Sequence, residues 1–456
     1  MYLRIFALLA SCVLSTTIAA CERTPRQTPS VNSAVVIPEH VQNVKAEQPM
    51  PEKRPYADMS PTLGTVTSVP IRGRLVYERD KPDLRSATPL QQASQDELKG
   101  VDFEAVLETS DGKEIAKLGT AKNDQEGYIE AAFPLKEGVV TPGRYRVDIR
   151  MNRSSVGQTT VQLLANDYKG IVVRSDIDLT YLDTHFVRKR DMIGLLTQKA
   201  AERKTLPAME KVYGALRAGA SKDEDRPLIF VSGSPRFFKR TLEAKMIIDG
   251  VVQNGILLKA FDDIAFTQVL NLDPDRIAPA LKEQVGYKLG HLLRGRLELP
   301  TQASEILLGD DSEADFVVYS IYHRLMSGQL DGETARKELL RGGVDSSQTT
   351  DLITLATKVR ATLNGFVPVK AIYINLTGSP NEKLKVKDWP VPGILREHRG
   401  AWPLILDLAE EGYVAKESVA TVKARLIDLG VTQSALDEAA QDAVKSGFLK
   451  KESAKP

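Results

Sequence analysis

The sequence predicts an α/β protein: a doubly wound parallel sheet with a small helical cap, preceded by an all-β sandwich domain and followed by a short helical tail. Three patterns lead to this prediction. Residues 63–167 alternate apolar with polar side chains, residues 168–390 alternate strand-like with helix-like segments, and residues 391–456 are helical in pattern. A chain of 456 residues is also too long for a single core, so several domains are expected.

The composition limits the classes of function. Hydrophobic residues make up 42% and charged residues 27% of the chain, which is typical of a globular protein. The formal net charge of +1 gives no electrostatic reason to expect nucleic acid as a partner. Both cysteines, Cys12 and Cys21, lie near the N-terminus, so the folded domains are expected to be stabilised by packing and not by disulfides.

Residues 1–20 have the pattern of a secretory signal peptide, because Arg4 is followed by an apolar run and then by small residues. The segment Ile18–Cys21 resembles the bacterial lipobox, in which the cysteine is lipidated after cleavage in front of it. A plain signal peptide or an anchor helix is the alternative, although an anchor needs roughly 20 apolar residues. We predict attachment of Cys21 to the phospholipid membrane of the bacterial envelope. The periplasmic side of the outer membrane is favoured because Glu22, and not an aspartate, follows the cysteine.

Residues 21–62 are rich in proline and poor in large apolar side chains, which predicts a disordered tether. The predicted sandwich comes next. Its segments "VDFEAVLE" (101–108) and "GRYRVDIR" (143–150) place apolar side chains at every second position. No cluster of chemically reactive residues stands out in this domain, so we interpret it as a packing or docking module.

The α/β domain is predicted from strand candidates that alternate with helix candidates. The strand candidates are Ile171–Ser175, Leu228–Ser232, Ile306–Gly309 and Val369–Leu376. The helix candidates are Arg190–Lys204, Pro207–Ala218, Pro279–Arg294 and Phe316–Ser327. In the tail, Gly430 and Thr432 have the residue types that end one helix and begin the next.

Three of the strand candidates end in polar residues. Asp176, Asp178 and Thr180 follow the first, Ser232 and Gly233 end the second, and the acidic segment "GDDSEAD" (309–315) ends the third. Since ligands bind at the carboxyl ends of the strands in a doubly wound sheet, we expect these side chains to share one edge.

Lys288 precedes the third strand on a predicted helix. Carboxylates crowded in this way repel one another, and burial raises their pKa unless a cation compensates. Mg²⁺ prefers carboxylate oxygens, water and phosphate, so the pattern predicts a magnesium site that receives a phosphate. Taken alone, the acidic segment is also compatible with a solvated loop or a calcium loop.

The segments "DIDLT", "VSGSP", Lys288 and "GDDSEAD" occur in the order of the four motifs of the haloacid dehalogenase superfamily of phosphohydrolases. More closely, "RSDIDLTYL", "LIFVSGSPRFF" and "EILLGDDSEADFVVYS" resemble the catalytic domain of the actin-patch-type phosphatidate phosphatases. This resemblance extends roughly from Lys169 to Leu325, about a third of the chain.

The resemblance implies a role for each matching residue. Asp176 is the implied nucleophile, and Asp178 is the implied general acid and base. The implied phosphate-binding residues are Thr180, Ser232, Gly233 and Lys288. The implied Mg²⁺ ligands are Asp176, Asp178 through its backbone carbonyl, and Asp310, with Asp311 or Asp315 in support.

Three departures from the related enzymes limit the prediction of the substrate, and one of them is that the charged end of their "LLLRD" segment is altered here to Lys259-Ala260-Phe261. Arg236 stands where many relatives have tryptophan, followed by Phe237 and Phe238. Arg236 is therefore a candidate substrate contact, to a phosphate or headgroup, with a surface arginine beside two core aromatics as the alternative. Leu179 replaces the second aspartate of the common "DIDDT" segment, which leaves the mechanistic positions intact.

We therefore predict a lipid-anchored, Mg²⁺-dependent phosphatase that forms an aspartyl-phosphate, with phosphatidate as the first candidate substrate. Soluble phosphomonoesters such as nucleotides or sugar phosphates are the second candidate. A non-catalytic envelope scaffold is the alternative that is not an enzyme.

Overall fold

A computed structural model describes residues 54–78, 84–93, 95–184, 194–222, 224–259, 284–378 and 384–451. The predicted signal peptide, the predicted lipidation site Cys21 and most of the predicted tether lie outside these residues. The first part of each of two helix candidates, Arg190–Lys204 and Pro279–Arg294, lies outside them as well. Within the described part of the chain, no helix combines the length and the hydropathy that a membrane span requires.

The N-terminal domain is formed by nine strands. They are β1 (Arg54–Ser60), β2 (Thr62–Thr65), β3 (Ser68–Glu78), β4 (Asp96–Glu97), β5 (Asp102–Glu108), β6 (Glu114–Lys122), β7 (Tyr128–Pro134), β8 (Gly143–Met151) and β9 (Ser154–Leu164). A short helix, α1 (Pro89–Ala93), lies between β3 and β4. Alternate side chains of these strands form an apolar core that includes Ile71, Leu107 and Val161.

The strands are hydrogen-bonded into one branched sheet, and two separate antiparallel sheets are not formed. The order is β1-β3-β2-β9-β8-β5-β6, with β4 and β7 also paired to β3. Most pairs are antiparallel, but β2 and β9 run parallel. The prediction of a simple antiparallel sandwich is therefore corrected, because β3 is long enough to pair with several strands along its length.

The prediction of a tether up to residue 62 is wrong for its last part. β1 pairs with β3 from Arg54 opposite Glu78 to Ser60 opposite Arg72. Because prolines lie near β1, the sequence pattern did not predict this strand, whose inward-facing side chains, such as Ala57 and Met59, are buried. The folded part of the chain therefore begins at or before Arg54.

The second sheet has six strands, all parallel, in the order β12-β11-β10-β13-β14-β15. They are β10 (Ile171–Ser175), β11 (Leu228–Pro235), β12 (Ile256–Lys259), β13 (Ser304–Asp310), β14 (Val369–Asn375) and β15 (Leu395–His398). Ser175 at the end of β10 lies opposite Phe230 of β11 and Leu308 of β13. The residues that follow these three positions therefore meet at one edge of the sheet.

Helices cover both faces of this sheet, as predicted for a doubly wound arrangement. They are α2 (Met209–Ala218), α3 (Lys239–Ile248), α4 (Gln284–Leu297), α5 (Asp315–Met326), α6 (Gly332–Arg341), α7 (Ser346–Leu363), α8 (Ala401–Glu410), α9 (Ser418–Asp428) and α10 (Gln433–Lys445). Successive residues of β13 point to opposite faces of the sheet. Leu308 packs with α2 and α8, whereas Leu307 packs with α4 and α5.

Two further boundaries differ from the prediction. β15 pairs with β14 from Leu395 opposite Ile372 to His398 opposite Asn375, so the α/β domain continues past residue 390. The strand is short and charged, and its sequence "LREH" gives no strand signal. The small helical cap is predicted between the first two motifs, "DIDLT" and "VSGSP". In that part of the chain, α2 packs against the sheet through Val212 and Leu216, and residues 185–193 lie outside the described part.

The two sheets are joined by buried polar contacts, which we call the interface cluster (Asp58, Ser60, Gln92, Lys239 and Glu243). Lys239 donates to the Asp58 carbonyl at 2.9 Å and lies 3.3 Å from its carboxylate. Ser60 donates to Glu243 at 2.8 Å, and Gln92 donates to Asp58 at 3.2 Å. These contacts tie β1 to helix α3, which follows β11.

Candidate active site

The candidate site lies at the carboxyl ends of β10, β11 and β13. Asp176 directly follows β10, and its backbone N–H donates to the Leu308 carbonyl of β13 at 2.9 Å. Ser232 lies near the end of β11, and Asp310 is the last residue of β13. Since neighbouring parallel strands end at the same edge, the fold brings together the side chains that the sequence placed on three separate segments.

Lys288 reaches this edge from helix α4. Its Nζ donates to Asp176 Oδ1 at 2.8 Å, to Glu313 Oε2 at 2.9 Å and to Asp315 Oδ1 at 2.5 Å. The side chains of Lys288, Asp176 and Asp315 are almost completely buried. We call Lys288 with Asp176, Asp310, Glu313 and Asp315 the catalytic cluster.

The catalytic cluster contains more negative than positive groups, and the pKa values reflect this. Burial raises the pKa of Asp176 well above its ordinary value, against the opposing effect of Lys288. Burial and the neighbouring Asp315 do the same for the pKa of Asp310. Burial raises the pKa of Asp315 to about 6. Burial alone would lower the pKa of Lys288, but the carboxylates around it raise this pKa well above the ordinary value.

Two buried oxygens of the cluster have no hydrogen-bond partner among the described residues: Asp176 Oδ2 and Asp310 Oδ2. The other oxygen of Asp310 is fixed by the Ser312 and Glu313 backbone N–H groups at 2.6 and 3.1 Å. A buried carboxylate oxygen without a partner costs about 1–3 kcal/mol or more. Both oxygens are therefore available to a cation, and carboxylate oxygen is the ligand that Mg²⁺ prefers.

The carboxylates of Asp176, Glu313 and Asp315 also have ligand atoms within 4.8 Å of one another. This trio is a poorer metal site than its spacing suggests, because the ammonium of Lys288 already bonds all three side chains. The oxygens that Lys288 leaves without a partner, Asp176 Oδ2 and Asp310 Oδ2, remain as candidate metal ligands.

Asp178 is held by three hydroxyl groups. Thr184 donates to its Oδ1 at 2.7 Å, while Ser232 and Ser234 donate to its Oδ2 at 3.1 and 2.9 Å. Burial raises the pKa of Asp178, and the bonds from Thr184 and Ser234 only partly offset this rise. A carboxyl group with a raised pKa and a fixed orientation is suited to hold and deliver a proton.

The remaining predicted site residues have different surroundings. The Thr180 hydroxyl is buried without a partner among the described residues. Gly233 is buried at the end of β11, and the Gln284 side chain lies 3.2 Å from the place of a Cβ atom there. Asp311 is bonded to Thr377: its Oδ1 accepts hydrogen bonds from both the backbone N–H and the hydroxyl of Thr377 at 2.8 Å.

Arg236 contacts the N-terminal domain. Its guanidinium carbon lies 4.3 Å from the centre of the Tyr128 ring, which is a cation–π distance. Phe238 is buried and packs with Phe237 in the core below α3. The role of Arg236 as a substrate contact stays a prediction.

Sequence reasoning missed three residues of the site. Glu313 bonds Lys288 directly, although only its neighbours in the acidic segment were assigned roles. Thr184 and Ser234 orient Asp178. Ser234 lies two residues after Ser232 on β11, so the alternation of a strand would have placed both hydroxyls on the same side. No sequence pattern predicted the role of Thr184, because it belongs to a loop and not to a regular strand or helix.

Residues 171–332 match the family model described as "Phosphatidate phosphatase APP1, catalytic domain". The chain carries an APP1-type catalytic domain. The matched segment contains Asp176, Asp178, Ser232, Lys288 and Asp310, and therefore the whole catalytic cluster. The APP1-type domain indicates phosphatidate phosphatase-like hydrolase activity.

The APP1-type match leaves the N-terminal domain and the segment after residue 332 without a counterpart. The comparison with curated proteins gives no match. Among solved structures, a glycosyl hydrolase family 2 member from Bacteroides cellulosilyticus is 9% identical with a TM-score of 0.23, covering 78% of this chain and 39% of that one. A β-glucuronidase from Parabacteroides merdae is 10% identical with a TM-score of 0.24, covering 79% and 38%. Likenesses this weak carry no argument about fold or function.

Proposed function

We propose that the protein is a Mg²⁺-dependent phosphatase of the haloacid dehalogenase superfamily that hydrolyses a lipid phosphate such as phosphatidate through an aspartyl-phosphate. The observation that carries this proposal is the pair of unpartnered, buried oxygens on Asp176 and Asp310 beside the ammonium of Lys288. Phosphoryl transfer needs little more than positioning and charge stabilisation, and this cluster supplies both.

Asp176 is the proposed nucleophile. Its carboxylate oxygen forms a bond to phosphorus while the bond from phosphorus to the leaving oxygen breaks. Lys288, 2.8 Å from Asp176 Oδ1, holds that carboxylate in place and offsets negative charge on the transferring group. Asp176 Oδ2 and Asp310 Oδ2 would hold Mg²⁺, which supplies further positive charge at the phosphoryl oxygens when bound.

Asp178 is the proposed general acid and base. Burial raises its pKa, which favours the protonated carboxyl group that would give a proton to the leaving oxygen. Asp178 then takes a proton from the water that attacks the aspartyl-phosphate, which releases inorganic phosphate and restores Asp176. Ser232 and Ser234 fix the direction of this transfer by bonding the same oxygen, Oδ2.

A lipid phosphate is the proposed substrate for two reasons. The match to a phosphatidate phosphatase domain points to this substrate class. The predicted lipid anchor at Cys21 would also hold the enzyme beside a membrane in which such a substrate resides. Soluble phosphomonoesters are the competing substrates that an assay must include.

The test offers the full-length chain, in detergent with Mg²⁺, three kinds of substrate: phosphatidate in mixed micelles, p-nitrophenyl phosphate and nucleotides. We expect phosphate release from phosphatidate, which Asp176→Asn abolishes and the exposed control Asp437→Asn leaves unchanged. Release only from the soluble esters would exclude the lipid substrate. No release from any of them, or release that persists in Asp176→Asn, would favour a scaffold role.

Metal binding is tested separately by thermal unfolding. A ligand at a hundred times its Kd stabilises the folded state by about 2.7 kcal/mol, so Mg²⁺ should raise the Tm of the full-length chain measurably. We expect Asp310→Asn to remove this rise, because it removes one of the two free oxygens. An equal rise in Asp310→Asn would place the metal elsewhere.

Anchoring in the envelope rests on the sequence alone and is tested with Cys21→Ser. We expect this variant to remain unlipidated and to leave the membrane fraction. Normal membrane partition of the variant would refute the lipid anchor without affecting the catalytic proposal.

A further inference from the structure

A groove of about 370 Å³ lies at the carboxyl ends of β14 and β15, on the same sheet edge as the catalytic cluster. Its volume falls within the range of small-molecule sites. Its walls are mainly apolar and include Leu179, Leu376, Trp402, Leu426, Leu436 and Ala439. We call it the apolar groove.

The apolar groove is built largely by α8, α9 and α10, which lie outside the matched catalytic domain. Leu426 and Leu436 are buried in the core that these helices share with the sheet. The C-terminal helices therefore do more than cover the sheet, because they add an apolar wall at the edge where the chemistry takes place.

Three connections join the apolar groove to residues that are chain neighbours of the catalytic cluster or of Asp178. Leu179 lies between Asp178 and Thr180 in the chain and lines the groove. Asn375 of the groove donates to the Leu179 carbonyl at 2.8 Å. Thr377 of the groove bonds Asp311, the neighbour of Asp310. Leu179 therefore separates the acidic side chains from the groove by a single residue of the chain.

Leu179 is held in an unusual conformation. Its φ is +54°, in the left-handed region that costs a residue with a Cβ atom roughly 1–2 kcal/mol. An asparagine or glycine would adopt this conformation more easily, yet a large apolar side chain occupies the position and is 9% exposed. An apolar wall next to a buried acid cluster suits a ligand that is charged at one end and apolar at the other.

The lining of the groove includes two charged residues, Asp183 and Arg399, and Arg399 also acts electrostatically on Glu397. Arg399 is exposed, lines the groove and has no ion-pair partner among the described residues. Trp402 also lines the groove, and its buried indole N–H has no acceptor within the described part of the chain. An ester or phosphate oxygen on a ligand would satisfy such donors.

We propose that the apolar groove binds an acyl chain of the lipid phosphate while its phosphate lies in the catalytic cluster. This inference rests on the proposed function, since the lipid phosphate is its occupant. A phosphate at Asp176, apolar contacts beginning at Leu179 and the guanidinium of Arg399 suit a molecule that is anionic at one end and apolar at the other.

The chain offers a direct test, because Trp402 lines the groove and the other tryptophan, Trp389, lies in the core on the opposite face of the sheet. The full-length chain carrying Asp176→Asn, which prevents turnover, is titrated with phosphatidate whose acyl chains are brominated. Bromine quenches indole emission only at short range. We expect quenching that Trp402→Phe abolishes and that Trp389→Phe preserves, with unbrominated phosphatidate as the blank.

A second pair of variants probes the wall of the groove. Ala439 is half-buried in the groove, and Gln441 is exposed on the same helix outside it. Ala439→Glu should weaken the apparent affinity for the brominated lipid roughly tenfold, which corresponds to about 1.4 kcal/mol. Gln441→Glu adds the same charge and should leave this affinity unchanged.

Equal quenching in Trp402→Phe and Trp389→Phe, or no quenching of Trp402, would overturn the proposal. Quenching that appears only after removal of residues 22–53 would also overturn it, by showing that a segment of the chain itself fills the groove. Because no turnover is measured, quenching of Trp402 without phosphatidate hydrolysis by the wild-type chain would refute the proposed reaction and retain the groove.

Discussion

Two lysines are buried among carboxylates in this protein, and their surroundings differ in one decisive respect. Lys239 of the interface cluster lies 3.3 Å from Asp58 and 3.7 Å from Glu243. Lys288 of the catalytic cluster bonds Asp176, Glu313 and Asp315. In both clusters, burial alone would lower the pKa of the lysine, but the carboxylates raise it.

The two clusters differ in whether every carboxylate oxygen near the lysine has a contact. In the interface cluster, every carboxylate oxygen has a contact, because Ser60 bonds Glu243 and Gln92 bonds Asp58. In the catalytic cluster, an oxygen on Asp176 and one on Asp310 have none within the described residues. A buried lysine with carboxylates therefore does not identify an active site by itself. Unpartnered acceptors that gather at the carboxyl ends of neighbouring strands beside the lysine are the feature that sets the catalytic cluster apart.

The largest effect that distinguishes the clusters is expected at Lys288. Lys288→Met removes the cation beside the nucleophile and should lower kcat by about 10³-fold, as loss of a preorganised charge does in other sites. Phosphate release in the substrate panel measures this. Lys239→Met should retain most of the activity per folded molecule. A comparable loss of kcat in both variants would show that the two lysines do not differ in function.

The second effect concerns stability and is expected at Lys239. Lys239→Met leaves Asp58 and Glu243 buried without their cation, which should lower the free energy of unfolding by about 3–5 kcal/mol. Urea unfolding of the full-length chain measures it. Exchange of the exposed Lys222 for methionine is the control, and it should change the free energy by less than about 1 kcal/mol. An equally small change in Lys239→Met would mean that the interface cluster does not hold the domains together.

The third effect is a pH dependence of the metal-free protein. The pKa of Asp315 is about 6 in the folded state and 3.8 ordinarily. Between these values the folded state keeps a proton that the unfolded chain has lost. The stabilisation is therefore complete below pH 3.8 and is lost as the pH rises through about 6.

This loss should amount to on the order of 3 kcal/mol in the free energy of unfolding. Urea unfolding at a series of pH values, with a chelator present, measures it. We expect Asp315→Asn to flatten the decline, and Mg²⁺ to reduce it by favouring the ionised carboxylates. A stability that rises over this interval equally in wild type and Asp315→Asn would contradict the pKa assignment.

The sequence predicted what depends on local pattern. β10 has the predicted bounds, and β13 and β14 begin and end within about two residues of theirs. Parallel strands end at the same edge of a sheet. This rule allowed the sequence to assign to one edge the aspartates that follow the strands, the Ser232 hydroxyl and Lys288 of the neighbouring helix.

The sequence could not predict what depends on tertiary contact. β15 has four residues, and it is a strand because it pairs with β14. Thr184 reaches Asp178 through a loop, and Asp311 bonds Thr377 although its neighbour Asp310 belongs to the cluster. The apolar groove combines residues from five separate segments of the chain, and no periodicity within one segment reveals such a surface.

The position of β13 in the middle of its sheet has a practical consequence for making the protein in pieces. A recombinant fragment limited to residues 171–332 would omit β14 and β15, so β13 would become an exposed edge strand with unpaired backbone groups beside Asp310. Such edges promote aggregation. The same cut would remove the Asn375 amide that bonds the carbonyl of Leu179. Expression of this domain in soluble form should therefore require a polypeptide that continues at least through β15.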